Sequence, residues 1–438
     1  MFQKQAHYRK NLLACAFGNI FEWYDFALFG AFATTISHLF FPPEDPTVNL
    51  IKTYGIFLAG FIMRPFGAIF MGWLGDKIGR KPVLIASLLL MAIPTLAIGF
   101  LPTYQQIGIL APIFLIIIRL FQGFAMGGEY GNSMVFLVEH APKNRKAFYS
   151  SWTDVGCLIG VLLGNLYAWV LIMTLDEITY MKWGWRIPFI SSIILCFLVY
   201  TLRKNFTETA SFLKENSKLS FRESIIFVSS FHRKMIPAVC VYAFGNVCFY
   251  MALIFLPQYH VLHHFMSAPH SYLLTSCISG LIAFFIPVGG YLSDRYGRKL
   301  IFIISIMITV VFAYLIFWAT NAHIFLNVIV VQMLMALSLA LFYGGEAAYF
   351  AELFPVSIRC MSVSLTLSLS NIIFGGSTPL VATLLIQKFN NVQVLAIPIC
   401  LLGGAAIWGL CKTLNHSNKA EKNVLITPQL NEIVNAET

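Results

Sequence analysis

The chain is poor in charged side chains, which make up only 11% of its 438 residues, whereas hydrophobic residues make up 58%. Soluble domains carry about 25% charged residues. So few polar side chains cannot cover a water-facing surface of this size, which excludes an ordinary soluble enzyme and a disordered protein. Together with a mean hydropathy of +0.76, this predicts an all-α membrane protein that crosses the bilayer many times.

Several motifs of catalysis and ligand binding are also missing. The nine cysteines form no C-x-x-C pair and lie mostly in apolar runs, so we expect no disulfide framework and no metal site. The chain has no G-x-x-x-x-G-K-[ST], H-E-x-x-H or G-x-S-x-G motif, which argues against a nucleotide hydrolase, a protease or a lipase. We therefore expect a protein that is not an enzyme and needs no cofactor. The net charge of +10 comes from short basic clusters between apolar runs, a pattern that does not indicate a nucleic-acid partner.

Twelve runs are long and apolar enough to be membrane-spanning helices. They are residues 11–35, 53–75, 82–101, 107–138, 147–173, 187–202, 235–257, 271–292, 300–320, 323–351, 359–386 and 392–411. With both termini placed in the cytoplasm, 23 of the 29 Lys and Arg fall in cytoplasmic segments and 4 in outer segments. This asymmetry predicts that orientation. The first run is too long for a signal peptide, so we expect it to stay as a helix.

The chain also repeats itself. GWLGDKIGRK at Gly72–Lys81 recurs as GYLSDRYGRK at Gly290–Lys299, and GGE at 127–129 recurs at 344–346. Two homologous six-helix halves explain this spacing. We predict an N-terminal bundle over 1–202, a cytoplasmic linker over 203–234, a C-terminal bundle over 235–412 and a cytoplasmic tail over 413–438.

Twelve helices in two halves, with this motif after helices 2 and 8, resemble the major facilitator superfamily. Further strings resemble its metabolite:proton symporters, most of all the proline/glycine betaine transporter branch: GNIFEWYDF (18–26), FFPPEDPTV (40–48), FIMRPFG (61–67), RLFQG (119–123), GFAMGGEYG (123–131), VEHAP (138–142) and WGWRIPF (183–189). The resemblance implies proton-driven uptake of a small polar metabolite by alternating access in a bacterial inner membrane. The protein is expected to work as a monomer with the proton as its coupling ion. The tail has no heptad run and contains Pro428, so we do not expect osmosensing through a coiled coil.

Ionisable groups inside the spans are candidates for the chemistry, because charge in a membrane is costly. Burial favours the protonated form of a carboxyl group and a nearby arginine favours the ionised form. Substrate binding that alters such a pairing would link proton and substrate. The candidates for proton coupling are Glu22, Asp25 and Glu129; those for substrate binding are Arg64, Arg119, Trp23, Tyr24, Gln122, Asn246, Tyr250 and Tyr343. The alternative is that the arginine–carboxylate pairs only lock helices together.

The fixed charges of the repeated motif predict a cytoplasmic gate, in which they pair with helix ends and with acidic residues of the other loops. The candidates are Gly72, Asp76, Gly79, Arg80, Glu139, Arg145, Gly290, Asp294, Gly297, Arg298, Glu352 and Arg359. The alternative is a basic loop that serves only to orient the chain.

Two other functions stay open. A dicarboxylate or tricarboxylate symporter, of the 2-oxoglutarate or citrate type, would also suit two buried arginines. A membrane sensor that binds ligand without transporting it would use the same scaffold. Net uptake into vesicles separates the sensor from the symporters, and the charge of the substrate separates the symporters from each other.

Overall fold

The computed structural model describes residues 2–42, 46–204, 207–214, 219–322 and 325–423. The described residues are almost entirely helical, which confirms the predicted all-α class. Our expectations for the tail beyond residue 423, and for parts of the outer-loop string and of the linker, lie outside the described residues.

Twelve long helical segments follow one another along the chain. They are α1 Phe2–Ala31, α2 Val48–Ile78, α3 Arg80–Phe100, α4 Leu110–His140, α5 Lys143–Thr174, α6 Gly184–Lys204, α7 His232–Leu262, α8 Ala268–Tyr296, α9 Arg298–Asn321, α10 Leu326–Glu352, α11 Val356–Phe389 and α12 Val392–Thr413. The last helix continues as far as Asn423. Short helices connect them at Ala33–Phe40, Tyr104–Ile107, Glu177–Lys182, Ala210–Lys214 and Phe221–Ser230.

Eleven of these segments, α2 to α12, are long and apolar enough to span a bilayer. The remaining helix, α1, is less apolar because it carries Asn19, Glu22 and Asp25 in its buried part. Polar side chains of this kind are stable in a spanning helix only where they face protein rather than lipid. The central part of α1 is buried against its neighbours, so twelve helices are consistent with the structure.

Glycines set the distance between the helices that carry the candidate site. A Cβ atom added at Gly160 of α5 would lie 2.6 Å from the carbonyl oxygen of Ile20 in α1. Added at Gly127 of α4, it would lie 2.1 Å from the carbonyl oxygen of Arg64 in α2. Only glycine permits these backbone approaches. They hold α1 against α5, and α4 against α2.

Three helices, α2, α7 and α11, are interrupted near the candidate site. α2 breaks at Met63, directly before Arg64 and Pro65, because proline cannot donate a backbone hydrogen bond to the preceding turn. α7 and α11 each contain one wide π-helical turn, at Met251–Phe255 and Asn371–Gly375.

The three interruptions meet at one place between the halves. The ring of Tyr250 lies 2.7 Å from the Cβ position of Gly375, and the ring of Phe61 lies 2.6 Å from that of Gly376. The centroids of the two rings are 5.8 Å apart. Glycine at both positions therefore makes room for aromatic rings from the facing helices.

Candidate functional site

Asp25 of α1 is bound on both carboxylate oxygens by groups of α4. The side-chain amide of Gln122 donates to its two oxygens at 3.0 and 2.9 Å, and to the Thr95 hydroxyl of α3 at 3.1 Å. Arg119 lies 3.6 Å from the same carboxylate. Its guanidinium also covers the ring of Phe29 at 3.6 Å from the centroid, an arrangement that stabilises a buried cation. The negative charge of Asp25 is thus offset within the protein.

Arg64 of α2 has a different environment. Its guanidinium lies over the ring of Phe61 at 4.0 Å and near that of Phe26 at 5.4 Å. One of its nitrogens contacts the sulfur of Met126 at 3.3 Å, and the hydroxyl of Tyr250 lies within electrostatic range. In the described part of the chain it forms no ion pair with a carboxylate. Since Arg64 is only 5% exposed, it is a buried cation without a directly bound counter-ion.

Glu22 of α1 is also left without a full set of partners. It is 2% exposed, and its Oε2 atom accepts no hydrogen bond from the described residues. Glu129, Arg64, Arg203 and Asp25 lie within electrostatic range of it. The structure therefore places one carboxyl group and one guanidinium, neither of them fully bonded, near each other between α1 and α2.

Glu129 of α4 is paired on both sides. Its oxygens accept a hydrogen bond from the hydroxyl of Ser87 and from the guanidinium of Arg203, which also donates to the carbonyl oxygen of Leu84. The Arg203 side chain occupies the space in which a side chain at Gly18 would lie. This pair links α3, α4 and α6, and it fills the cleft beside α1.

Arg203 is a residue that the sequence interpretation missed, because it was counted in the linker. Here α6 extends to Lys204. The signal was its position, one residue after a long apolar run, because a helix that is two residues longer includes it.

The remaining substrate candidates lie at different places. Trp23 faces the centre, with ring contacts to Tyr130 at 6.1 Å and Phe249 at 5.0 Å. Tyr24, by contrast, turns towards α6 and donates to the carbonyl oxygen of Pro188 at 3.1 Å. In the C-terminal half, Asn246 donates to the hydroxyl of Ser370 at 3.3 Å, and Tyr343 donates to the carbonyl oxygen of Gly245 at 3.0 Å. Of these four, Trp23 lies in the same aromatic cluster as Tyr250.

A small cavity lies at the centre of the N-terminal half, with about 10 Å³ of space for the centres of water molecules. That is room for about one water molecule. Its lining includes Phe26, Phe57, Phe61, Arg64, Arg119 and Gln122. In this arrangement the site is closed around its polar groups, and a metabolite-sized ligand requires the helices to separate.

The loops with the repeated motif lie at one end of the molecule, which we call the gate end. There Asp76 of α2 accepts hydrogen bonds from the backbone N–H groups of Cys360 and Met361, at 3.1 and 3.0 Å. Cys360 and Met361 belong to the first turns of α11, where backbone N–H groups are free to bind an anion. The approach is close, because a Cβ at Gly72 would lie 2.6 Å from the Cα atom of Met361.

The second copy of the motif makes the same contact with the opposite half. Asp294 of α8 accepts from the N–H groups of Ala147 and Phe148 at 3.1 and 2.9 Å, near the start of α5. A Cβ at Gly290 would lie 2.9 Å from the Cα atom of Phe148. Each half therefore holds the other through one buried aspartate and one glycine.

Ion pairs surround these two aspartates. Arg80 lies 3.5 Å from Asp76 and 3.2 Å from Glu139, which Arg359 also contacts at 2.9 Å. Arg298 lies 3.2 Å from Asp294 and 3.3 Å from Glu352. Gly79 and Gly297, each just before one of these arginines, have φ angles of 111° and 92°, which glycine adopts without strain. Arg145 is exposed and forms no ion pair within the described ranges.

The other end of the molecule is closed by neutral hydrogen bonds. Tyr272 donates to the carbonyl oxygen of Ala31 at 2.8 Å, and Gln258 donates to that of Gly30 at 3.3 Å. The structure is thus tied at both ends, with the polar groups of α1, α2 and α4 enclosed between them.

Known proteins with this arrangement can be compared over almost the whole chain. Residues 11–228 match the family model for sugar (and other) transporters, and residues 262–429 match that of the major facilitator superfamily. The citrate-proton symporter of Klebsiella pneumoniae is 33% identical over 92% of this chain and 90% of its own length. The chain belongs to the major facilitator superfamily. It is therefore a multi-pass membrane transport protein and not an enzyme.

Other relatives are named as transporters of substrates other than citrate. The glycine betaine/proline/ectoine/pipecolic acid transporter OusA of Dickeya dadantii (strain 3937) is 34% identical over 94% of this chain and 84% of its own length. The proline/betaine transporter of Escherichia coli (strain K12) is 31% identical over 98% and 87%. This confirms the predicted resemblance to metabolite:proton symporters.

Solved structures of the superfamily share the fold. The proton:xylose symporter XylE bound to 6-bromo-6-deoxy-D-glucose has a TM-score of 0.77, with 15% identity over 93% of this chain and 95% of that one. A partially occluded inward-open conformation of XylE from E. coli has a TM-score of 0.73, with 16% identity over 93% and 97%. At this identity the likeness concerns the fold alone.

Proposed function

We propose that this protein is a proton-coupled symporter that takes up a small zwitterion of the proline or glycine betaine type. The observation that carries the proposal is the buried guanidinium of Arg64, which forms no ion pair with a described carboxylate and lies among aromatic rings near the incompletely bonded carboxyl group of Glu22. Several relatives, at 31–34% identity, are named as transporters of proline, betaine or both.

A zwitterion needs one cationic and one anionic or aromatic partner. Its carboxylate can pair with Arg64, which would supply the missing counter-ion. Its cationic end can lie against the rings of Trp23, Phe26 and Tyr250, since a quaternary ammonium is attracted to aromatic faces. Ring contacts of 5.5 and 5.7 Å join these three residues into one cluster.

The proton is proposed to bind Glu22. A charged carboxyl group in this enclosed place is costly unless Arg64 offsets it. When a substrate carboxylate pairs with the Arg64 guanidinium, Arg64 offsets less of the negative charge of Glu22. Protonation of Glu22 then becomes more favourable. Proton and substrate thereby favour each other, as symport requires.

One alternative has specific support, namely a di- or tricarboxylate as substrate. The citrate-proton symporter is as similar to this chain as the betaine transporters, and Arg119 lines the same small cavity as Arg64. We rank it second because Arg119 is already paired with Asp25. Of the two arginines that line this cavity, Arg64 alone then lacks a carboxylate partner among the described residues, which suits one carboxylate. A sensor that does not transport has no observation in its favour.

We further propose that the gate end faces the cytoplasm of a bacterium and that the protein lies in the inner membrane. The excess of Lys and Arg in the loops at this end supports the orientation, and the relatives quoted above are bacterial.

Uptake into proteoliposomes with an imposed pH gradient tests the proposal. Labelled proline, glycine betaine, citrate and 2-oxoglutarate are offered to the wild type, to Arg64→Gln and to Arg222→Gln. Arg222 is an exposed cation of the linker, so its variant is the matched control. We expect accumulation of proline or betaine that a pH gradient increases and that only Arg64→Gln abolishes. Accumulation of citrate alone moves the assignment to the carboxylate alternative, and uptake indifferent to the gradient contradicts proton coupling.

A further inference from the structure

A carboxyl group of the C-terminal half, Glu346, has no role in the scheme above. It lies in α10, is 1% exposed, and neither of its carboxyl oxygens accepts a hydrogen bond from the described residues. No lysine or arginine of the described ranges forms an ion pair with it. An ionised carboxylate in such a place is costly, because no positive charge or hydrogen-bond donor replaces the water it has lost.

A second carboxyl group, Asp154 of α5 in the other half, lies within electrostatic range of Glu346. α10 packs against α4 and α5, and the two carboxyl groups interact electrostatically. Asp154 accepts a hydrogen bond from the hydroxyl of Tyr130 in α4, and Thr153 donates to its other oxygen at 3.3 Å. It too forms no ion pair within the described residues.

We propose that Glu346 and Asp154 together form a second proton-binding site that joins the two halves. Two carboxyl groups that share an enclosed place without a cation cannot both be ionised, so at least one proton stays between them. The other titratable groups that face the pair are neutral hydroxyls and a thiol: Tyr130 of α4, Cys157 of α5, Tyr242 of α7 and Tyr343 of α10. None of these supplies a positive charge.

This pair lies close to the contacts of the gate end. Glu346 precedes Glu352 in α10, and Asp154 follows Phe148 in α5, by about 9 Å in each case at 1.5 Å per residue. Loss of the shared proton leaves two negative charges that face each other across the halves. Their repulsion pushes the halves apart next to the gate, so proton release favours opening of that end.

The pair is distinct from Glu22, although the two sites are near each other. Cys157 lies within electrostatic range of both Glu22 and Glu346. This inference rests on the proposed proton coupling and extends it. The proton that Glu22 binds together with substrate leaves towards the gate end, where the Glu346–Asp154 pair binds it.

Infrared spectroscopy of the purified protein tests the site without any substrate. Protonated carboxyl groups absorb separately from carboxylates, so the pair contributes a band that disappears as the pH is raised. We expect Glu346→Gln and Asp154→Asn each to change the pH at which this band disappears, because each variant removes one of two interacting carboxyl groups. The control Glu177→Gln, which changes an exposed carboxyl group outside the spans, should leave that pH unchanged. A band whose pH dependence is the same in both variants as in the wild type overturns the proposal.

The effect on the gate is measured as the distance between spin labels at Lys77 and Arg295, two exposed positions at the gate ends of α2 and α8. Labels attached to unnatural amino acids leave the nine cysteines in place. We expect the distance to widen from acidic to alkaline pH in the wild type and in Glu177→Gln, but not in Glu346→Gln. Widening of equal size in Glu346→Gln contradicts the proposal.

The two proposals can fail separately. If no substrate of the panel is accumulated while the distance still depends on Glu346, the proton site stands and the transport proposal is wrong. If accumulation is proton-driven and Glu346→Gln accumulates as the wild type does, the second proton site is wrong.

Discussion

Two carboxyl groups three residues apart on α1 are bonded in different ways. Both carboxylate oxygens of Asp25 accept hydrogen bonds from Gln122, and the positive charge of Arg119 lies beside them. Glu22 keeps an oxygen without a partner among the described residues. A fully bonded carboxylate serves the structure well, whereas a partly bonded one can gain or lose a proton at lower cost. The same helix thus carries one fully bonded carboxyl group and one with an oxygen that has no partner among the described residues.

This difference predicts opposite costs for the two neutral substitutions. Asp25→Asn removes one charge of a buried pair and should destabilise the fold by about 3–5 kcal/mol. Glu22 forms no hydrogen bond or ion pair identified among the described residues, so the thermal unfolding temperature of Glu22→Gln should stay close to that of the wild type. Proton-driven accumulation, however, should be lost in Glu22→Gln, while exchange of labelled for unlabelled substrate persists. Full accumulation by Glu22→Gln would remove this residue from the mechanism.

The charged residues of the site could be predicted from the sequence, but most of their partners could not. Glu22, Asp25, Arg64 and Arg119 stand out because charge is rare in apolar runs. The ring of Phe29 under Arg119 is one of 40 phenylalanines, and nothing in the sequence distinguishes it. Such contacts depend on how the helices rotate against each other.

At the scale of the helices, glycine decides how closely α2 and α11 approach at the gate end. The repeated motif predicted a set of charges at this end, but not that its aspartates bind backbone N–H groups of the opposite half. That contact requires the 2.6 Å approach at Gly72, which a sequence pattern does not specify.

A methyl group at this position should therefore separate the two helices. Gly72→Ala places a Cβ against the backbone of Met361, and overpacking of this kind costs about 1–3 kcal/mol. We expect the gate-end distance between labelled Lys77 and Arg295 to increase. Gly55→Ala in the same helix is the matched control, because no neighbouring side chain or backbone of the described residues lies within 4 Å of its Cβ position. Equal distances in the two variants would show that the approach at Gly72 does not hold the gate.

In the whole molecule, the two ends are held with different strength. The gate end has charge-assisted bonds to two aspartates and several ion pairs, and the other end has neutral hydrogen bonds. A hydrogen bond to a charged group contributes about 1.5–3 kcal/mol and a neutral one about 0.5–1.5 kcal/mol. The closed structure should therefore open first at the end away from the gate.

Removing one gate charge should reverse this preference. Asp76→Asn loses the charge that binds the N–H groups of Cys360 and Met361, a loss of about 1.5–3 kcal/mol. The population open at the gate end should rise about ten- to a hundredfold, measured as the fraction of long Lys77–Arg295 distances. Asp294→Asn should act alike because it makes the mirrored contact. Asp176→Asn, an exposed residue outside the spans, should leave the distances unchanged.

The meeting of three interrupted helices at Phe61, Tyr250 and Gly375 has a mechanical consequence. Breaks and π turns are the places where a helix bends most readily, and here they surround the proposed ligand. We expect a ligand that fills this spot to change the curvature of α2, α7 and α11 together. The extent of bending should then depend on the size of the ligand. A molecule too small to bend all three helices should bind without being transported.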